Sequence, residues 1–298
     1  SKSAESLDNS SYQIIMSDII KETADNILCK KLSKQSNLDD DSLQRLNRFT
    51  HCILEMVNPQ GENFLGKLIS VIFPLFPVAL LLVDDRAPEI SNTSWKVIGT
   101  FANTEFSLSW MLELYNLAID LLMDKFDLRK FSKNIEGEDK PYEIINSSWR
   151  VRCSTLTFLQ AFLSQNMFFL TNERIEQALT CLFSCMIHPQ IEVRNTAGAT
   201  LSSILRFLSE EQQIKLWDEY EEVASQPLPD SHSIEFKEKL LFRHRAILGM
   251  AAIVNVHPYD MPIWLPTRLV EFATHINDPV PVKGTVKNTF LQFWRVHQ

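Results

Sequence analysis

Three side chains in this sequence are spaced as metal ligands could be. Cys181, Cys185 and His188 fall at i, i+4 and i+7, which puts two thiols and an imidazole on one face of a helix. A structural zinc site closes with four ligands, and the chain holds no C-x-x-C pair to complete the set. Two thiols packed in a core are the ordinary reading, so neither a metal nor another cofactor is expected. His244 and His257 have no Cys or carboxylate set beside them as a nucleophile triad. The sequence contains no G-x-S-x-G, P-loop or G-x-G-x-x-G. The acidic run "SEEQQIKLWDEYEE" reads as the solvated face of a helix. No catalytic residue is expected, and the chain is not read as an enzyme.

Composition narrows the class further. The chain has 298 residues, 45% of them hydrophobic and 22% charged, with only 7 glycines. So few glycines disfavour turn-dense all-β folds and favour helices. The net charge of -8 and the absence of a basic stripe argue against direct nucleic-acid binding, which draws on phosphate neutralisation. Five cysteines without paired spacing read as reduced thiols, which removes weight from the N-x-[ST] triplets at Asn9, Asn92 and Asn146. The opening "SKSAESLDNSSY" reads as a polar, flexible lead-in and no signal peptide is expected. "LISVIFPLFPVALLLV", residues 68–83, is short for a membrane span of about 20 residues and is broken by Pro74 and Pro77. It is expected to be a buried core segment, with no membrane partner.

The remaining pattern is helical. Amphipathic helices are expected over 12–32 and 38–57, and two more over 93–131, after a break at "DDRAPEISN". "SKNIEGEDKPYE" (132–143) and "SQPLPDSHS" (225–233) read as loops. A motif then repeats: "NTSWKV" at 92–97 returns as "NSSWRV" at 146–151, and looser copies follow. Aligning them sets Val97, Val151, Val193, Phe242 and Val282 in register, at spacings of 54, 42, 49 and 40 residues. With the two loops discounted, the period approaches the roughly 40–47 residues of HEAT-type repeats. The expected fold is all-α, an HEAT/armadillo-like α-solenoid of antiparallel helix pairs. Each Val would start the buried stripe of a repeat's second helix, as in Val193, Ala197, Leu201, Leu205, Leu208 and in Val282, Val286, Phe290, Phe293. Asn146 and Asp278 are expected as caps, with Pro189 and Pro279 fixing the turns. The following cation (Arg152, Arg194, Lys283) is expected to reach turn carboxylates or carbonyls, a structural role. Trp149 is expected to be buried, so that Trp149→Ala would cost a few kcal/mol.

"PYDMPIWLP" at 258–266 and "HINDPVPVKGTVKNTF" at 275–290, with "SSWRVRCSTLTFLQAFLSQNMFFL" and "IEVRNTAGATLSSIL" before them in order, resemble the C-terminal region of the large single-chain HEAT-repeat proteasome activators, the subunit 4 or bleomycin-sensitivity type. The resemblance is closest over 146–297.

The resemblance implies a helical dome seated on the 20S proteasome core that opens its gate and promotes ubiquitin-independent degradation. It carries with it a nuclear and cytoplasmic location and a link to DNA repair. Gate contact in such activators uses a hydrophobic-Tyr-X tail; this sequence shows none before Gln298, so an excised piece is expected. The resemblance also divides the chain into N-terminal repeats (1–145), a bromodomain-like segment (146–243) and C-terminal repeats (244–298). In that segment acetylated histone tails are the implied partner. Reading acetyl-lysine needs an apolar slot and an amide donor. Where the family pattern has an Asn-Phe pair, this chain has Arg206-Phe207. Phe207 could wall a slot or serve as core; Asn166, with Phe168 close by, could supply the amide or cap its helix. The other reading is a generic HEAT-type scaffold indifferent to acetylation.

Overall fold

The computed structural model describes Gln44, Arg48, Phe73 and residues 75–84, 88–126 and 148–296. The segments expected as helices over 12–32 and, apart from Gln44 and Arg48, over 38–57 lie outside them, as do the 132–143 loop and Asn146. Among the described residues every regular element is helical. The helices are α1 (Leu75–Leu82), α2 (Pro88–Asn103), α3 (Leu108–Leu122), α4 (Trp149–Gln165), α5 (Asn172–Cys185), α6 (Ile191–Leu205), α7 (Glu210–Ala224), α8 (Phe236–Val256), α9 (Leu265–Ala273) and α10 (Val282–Val296). Short 3₁₀ turns occupy Met167–Phe169 and Thr274–Asn277. No described helix is long and apolar enough to cross a membrane.

Packing divides the chain into Ser1–Phe169 and Leu170–Gln298. In the first unit α1 is the buried segment expected from 68–83, with Phe76 and Leu80 fully enclosed. Pro77 sits in its first turn, where a missing N–H costs nothing. Phe76 meets Phe101 at 5.1 Å and Phe158 at 4.5 Å, and Phe158, Phe162 and Phe169 continue the cluster. Helix α2 packs on α4, α1 packs on both, and α3 packs on α4. In the second unit α6 packs on α8 and α8 on α10, with α5, α7 and α9 paired to them. The helices that stack within each unit are thus those carrying the repeated motif, the arrangement of an α-solenoid.

Details depart from the sequence reading. Helix α2 starts at Pro88, inside the stretch read as a break, because Pro pre-sets the first helical φ and Glu89 favours the N-terminus. The 225–233 stretch is non-helical as expected. Val97, Val151, Val193 and Val282 are at most 3% exposed, but Phe242 is 38% exposed. Trp149 is also 37% exposed, as is Trp95 at the matching place in the other copy. Its ring instead lies under the Arg150 guanidinium, 5.3 Å away, so the expectation of a buried Trp is overturned. Ser148 caps α4, its hydroxyl accepting from the Val151 N–H.

Asp278 does not cap α10 as expected; it closes the preceding 3₁₀ turn, its N–H donating to His275 O. Its carboxylate accepts from Arg243 at 3.1 and 3.2 Å and pairs with His275 Nδ1 at 2.8 Å.

Two of the three motif cations, Arg152 and Arg194, reach turns. Arg152 donates to the Leu122 carbonyl at 2.8 Å and to both Asp124 oxygens. Asp124 has φ 57, left-handed backbone that a non-glycine adopts at some cost. It is the C′ residue of a Schellman end: Lys125 N–H donates to Asp120 O, and Asp124 N–H to Leu121 O. Arg194 donates to the carbonyls of His188 and Pro189 at 2.7 and 2.8 Å. Lys283 makes no comparable contact among the described residues.

Candidate functional site

The stacking leaves a groove in the second unit between α5, α7 and α8, with a volume of about 190 Å³. Phe183 comes from α5, Leu216, Glu219, Tyr220 and Val223 from α7, and Phe242, Arg245 and Ala246 from α8. On α7 the spacing 216, 219, 220, 223 presents one helix face; on α8 the positions 242, 245, 246 do the same. Phe183 and Tyr220 meet edge to face at 6.3 Å and 90°. The Arg245 guanidinium lies over the Phe183 ring, 5.4 Å from its centroid.

Tyr220 reaches this position because residue 249 is glycine. A Cβ there would lie 2.3 Å from Tyr220 Cε2 and 2.4 Å from Cζ. The ring is 6% exposed, and its hydroxyl is enclosed without a hydrogen-bond partner. Burial pushes the phenol well above its usual pKa, against the pull of Arg245. The groove therefore offers apolar walls, with the neutral Tyr220 hydroxyl enclosed beneath them.

Beside it runs a polar relay. Arg194 Nε donates to His244 Nδ1 at 3.1 Å, and His244 Nε2 lies 3.0 Å from Thr285 Oγ1. Since Nδ1 accepts, the ring proton sits on Nε2 and is donated to the threonine. Burial, aided by Arg194, pushes the His244 pKa down to about 4, so the ring is neutral. Its role is to join α6, α8 and α10. His257, whose pKa burial also lowers, pairs through Nε2 with Gln213 Oε1 at 2.8 Å.

The residues singled out by resemblance lie elsewhere. In the first unit, Asn166 is the C-cap of α4 and is 4% exposed. Its backbone and side-chain amides both donate to the Phe162 carbonyl, at 3.0 and 2.8 Å. Phe168 is 83% exposed. In the second unit, Arg206 is exposed at the end of α6 and Phe207 is half-buried, its N–H bonded to Ile204 O. None of the four lines the groove. Cys181 and Cys185 are 1% and 2% exposed, the core placement that their ordinary reading requires. Among the described residues no cluster of three or more metal-type ligands forms. The sequence did hold one signal for the groove: Phe242 stands where the other copies carry Val.

Comparison with known proteins adds the family. A family model described as proteasome activator complex subunit 4-like, C-terminal, matches residues 240–298. Proteasome activator complex subunit 4 of Homo sapiens is 35% identical over 164 residues, 51% of this chain and 9% of that protein. Proteasome activator complex subunit 4A of Danio rerio is 32% identical over 275 residues, 88% of this chain and 14% of the relative. Proteasome activator BLM10 of Saccharomyces cerevisiae is 29% identical over 148 residues, 47% of this chain and 7% of the relative. The chain thus spans a small part of the relatives it matches. With α9, α10 and most of α8 inside the matched model and similarity extending over most of its length, the chain belongs to the proteasome activator subunit 4 family.

Proposed function

We propose that this chain is part of a proteasome activator that caps the 20S core and promotes ubiquitin-independent degradation, acting by contact and not by catalysis. The observation that carries this reading is the family match over 240–298, which takes in α10 and most of α8. A solenoid of this kind works through its surfaces. The activity belongs to an intact activator, so that is where the test lies. In an activator containing this segment, Arg194→Ala should loosen the stack and lower the stimulation of 20S peptidase activity. Unchanged stimulation, with the variant folded and its stack shown loosened by hydrogen exchange, would count against the reading.

The finer part of the proposal is that residues 146–243 recognise acetylated histone tails, in a nuclear and cytoplasmic protein with a part in DNA repair. Within the second unit Phe207 would wall the slot, with Arg206 at its edge. The acidic balance of the chain suits a basic tail. The competing reading, a scaffold indifferent to acetylation, is favoured by the use of the Asn166 amide as a cap on Phe162 O. Calorimetric titration with acetylated and unmodified histone-tail peptides separates them. Acetyl-dependent binding lost in Phe207→Ala supports the reader. Equal, salt-weakened binding of both peptides supports the scaffold.

A further inference from the structure

The repeated motif keeps a register beyond the residue that opens its buried stripe. One place after the opener stand Arg152, Arg194 and Arg243, each at most 8% exposed. Five places after it stand Leu156, Gly198 and Ile247, and twelve places after it Leu163, Leu205 and Val254, all buried. These three places share one side of a helix. In α6 that side faces the following motif helix, α8. Arg194 donates to His244, and a Cβ on Gly198 would meet the Leu248 side chain at 3.3 Å.

In α10 the same three places hold Lys283, Lys287 and Trp294. Lys283 is half-buried, Lys287 is exposed and Trp294 is 66% exposed. Leu291, one turn after Lys287, is 57% exposed. The other side of α10 is sunk in the usual way, with Val282, Val286 and Thr289 buried. The outer face of a capping repeat is polar. A tryptophan and a leucine standing bare in the helix-receiving register mark this one as a face for a further helix.

The charge on this face has one sign. Helix α10 carries Lys283, Lys287 and Arg295 and no carboxylate, and the 3₁₀ turn packed on it has none either. Its other neighbour, α8, has one, Glu238. The contact of His244 with Thr285 sets the two helices in register, so Glu238 lies short of the start of α10. Asp278, just before α10, is engaged with Arg243 and His275. In a chain of net charge -8 this is a basic, apolar strip. A second copy of α10 would set lysine against lysine, whereas a helix bearing carboxylates beside an apolar ridge complements it.

We infer that the Lys283–Lys287–Leu291–Trp294 face of α10 binds an acidic amphipathic helix of a partner protein, stacked on α10 as α8 is stacked on α6. Apolar side chains of that helix cover Leu291 and Trp294, and its carboxylates meet Lys283, Lys287 and Arg295. The inference concerns α10 and its neighbours alone and does not rest on the family reading.

The test is fluorescence anisotropy of the whole chain with a labelled helical peptide, its leucines at every third or fourth place and glutamates beside them. The same peptide with lysines for glutamates is the control. Saturable binding of the glutamate peptide is expected, weakened about tenfold or more by Trp294→Ser and by Lys287→Glu. The lysine peptide should not bind the parent, and should bind the double variant Lys283→Glu, Lys287→Glu in preference to the glutamate peptide. Trp294 and Lys287 are exposed, so their variants keep the fold. Absence of binding, equal binding of the two peptides, or full affinity in Trp294→Ser overturns the proposal. So does self-association of the parent abolished by Trp294→Ser, which would give the face to a second copy. Binding to phosphatidylserine vesicles in place of the peptide would give it to a membrane surface, and overturns the proposal as well.

Discussion

Arg194 on α6 donates its Nε hydrogen to His244 Nδ1 on α8, 3.1 Å away, in a pair that only a neutral imidazole can complete. The bond fixes the tautomer of a fully enclosed ring and ties two stacked helices by their side chains. It also makes the stack sensitive to pH. The folded His244 pKa is pushed down to about 4 against an unfolded value near ~6.5. Between those values the unfolded chain holds the extra proton, so stability rises with pH there. The contribution is complete above about pH 6.5 and is lost as pH falls towards 4, by no more than about 3 kcal/mol. Urea unfolding from pH 4.5 to 7.5 should show this slope in the parent and a shallower one in His244→Asn. Equal slopes would remove His244 as their source.

The Arg152–Asp124 contact supports a different joint. Arg152 is 7% exposed and is the partner of a left-handed aspartate and a helix-end carbonyl. Arg152→Ala strands that carbonyl and loosens the end of α3, so a loss of about 2 kcal/mol is expected. Chemical denaturation measures it, and a loss below about 0.5 kcal/mol, the range of ordinary surface changes, would contradict the structural role.

Two helical glycines should respond with opposite sign. At Gly284 nothing lies within 4 Å of an added Cβ, so Gly284→Ala should stabilise by about 0.5–1 kcal/mol through helix propensity. At Gly249 the added methyl meets the Tyr220 ring at 2.3 Å. The displaced ring costs about 1–3 kcal/mol and outweighs the same propensity gain. Thermal melts of the two variants should move in opposite directions; parallel shifts would discount the Tyr220 contact.

Trp149→Ala should now be mild. The ring is 37% exposed and its main contact is a surface cation–π pair worth about 0.5–1 kcal/mol. A loss of about 1 kcal/mol is expected by denaturant titration. A loss above about 3 kcal/mol would restore the buried placement first expected from the repeat.

What the sequence made legible was whatever depends on phase. Val193, Ala197, Leu201 and Leu205 recur every four residues and are all fully buried, since a 3.6-residue period leaves few choices once glycine is scarce. The stacked helices followed from the repeated motif for the same reason. Partners separated by long stretches of chain were not legible. Asp278 looked like a local cap, yet its carboxylate meets Arg243, 35 residues away. The groove was hidden too: its floor depends on Gly249 admitting Tyr220 from another helix, a steric relation with no periodicity. Phe242 could be found in the alignment, but its exposure could not.

Helix α8 has a consequence for how the protein is made. It is buried without a break from Ala246 to Val254, and part of that cover comes from α10, which starts only at Val282. A nascent chain that has released α8 but not α10 therefore shows the ribosome's surroundings an apolar helix with one side bare, an open invitation to chaperones. Arrested chains ending before Val282 should be retained by Hsp70-type chaperones in a translation extract, and chains extended past Val296 released. Equal retention of both would mean that α6 and α7 shield α8 on their own.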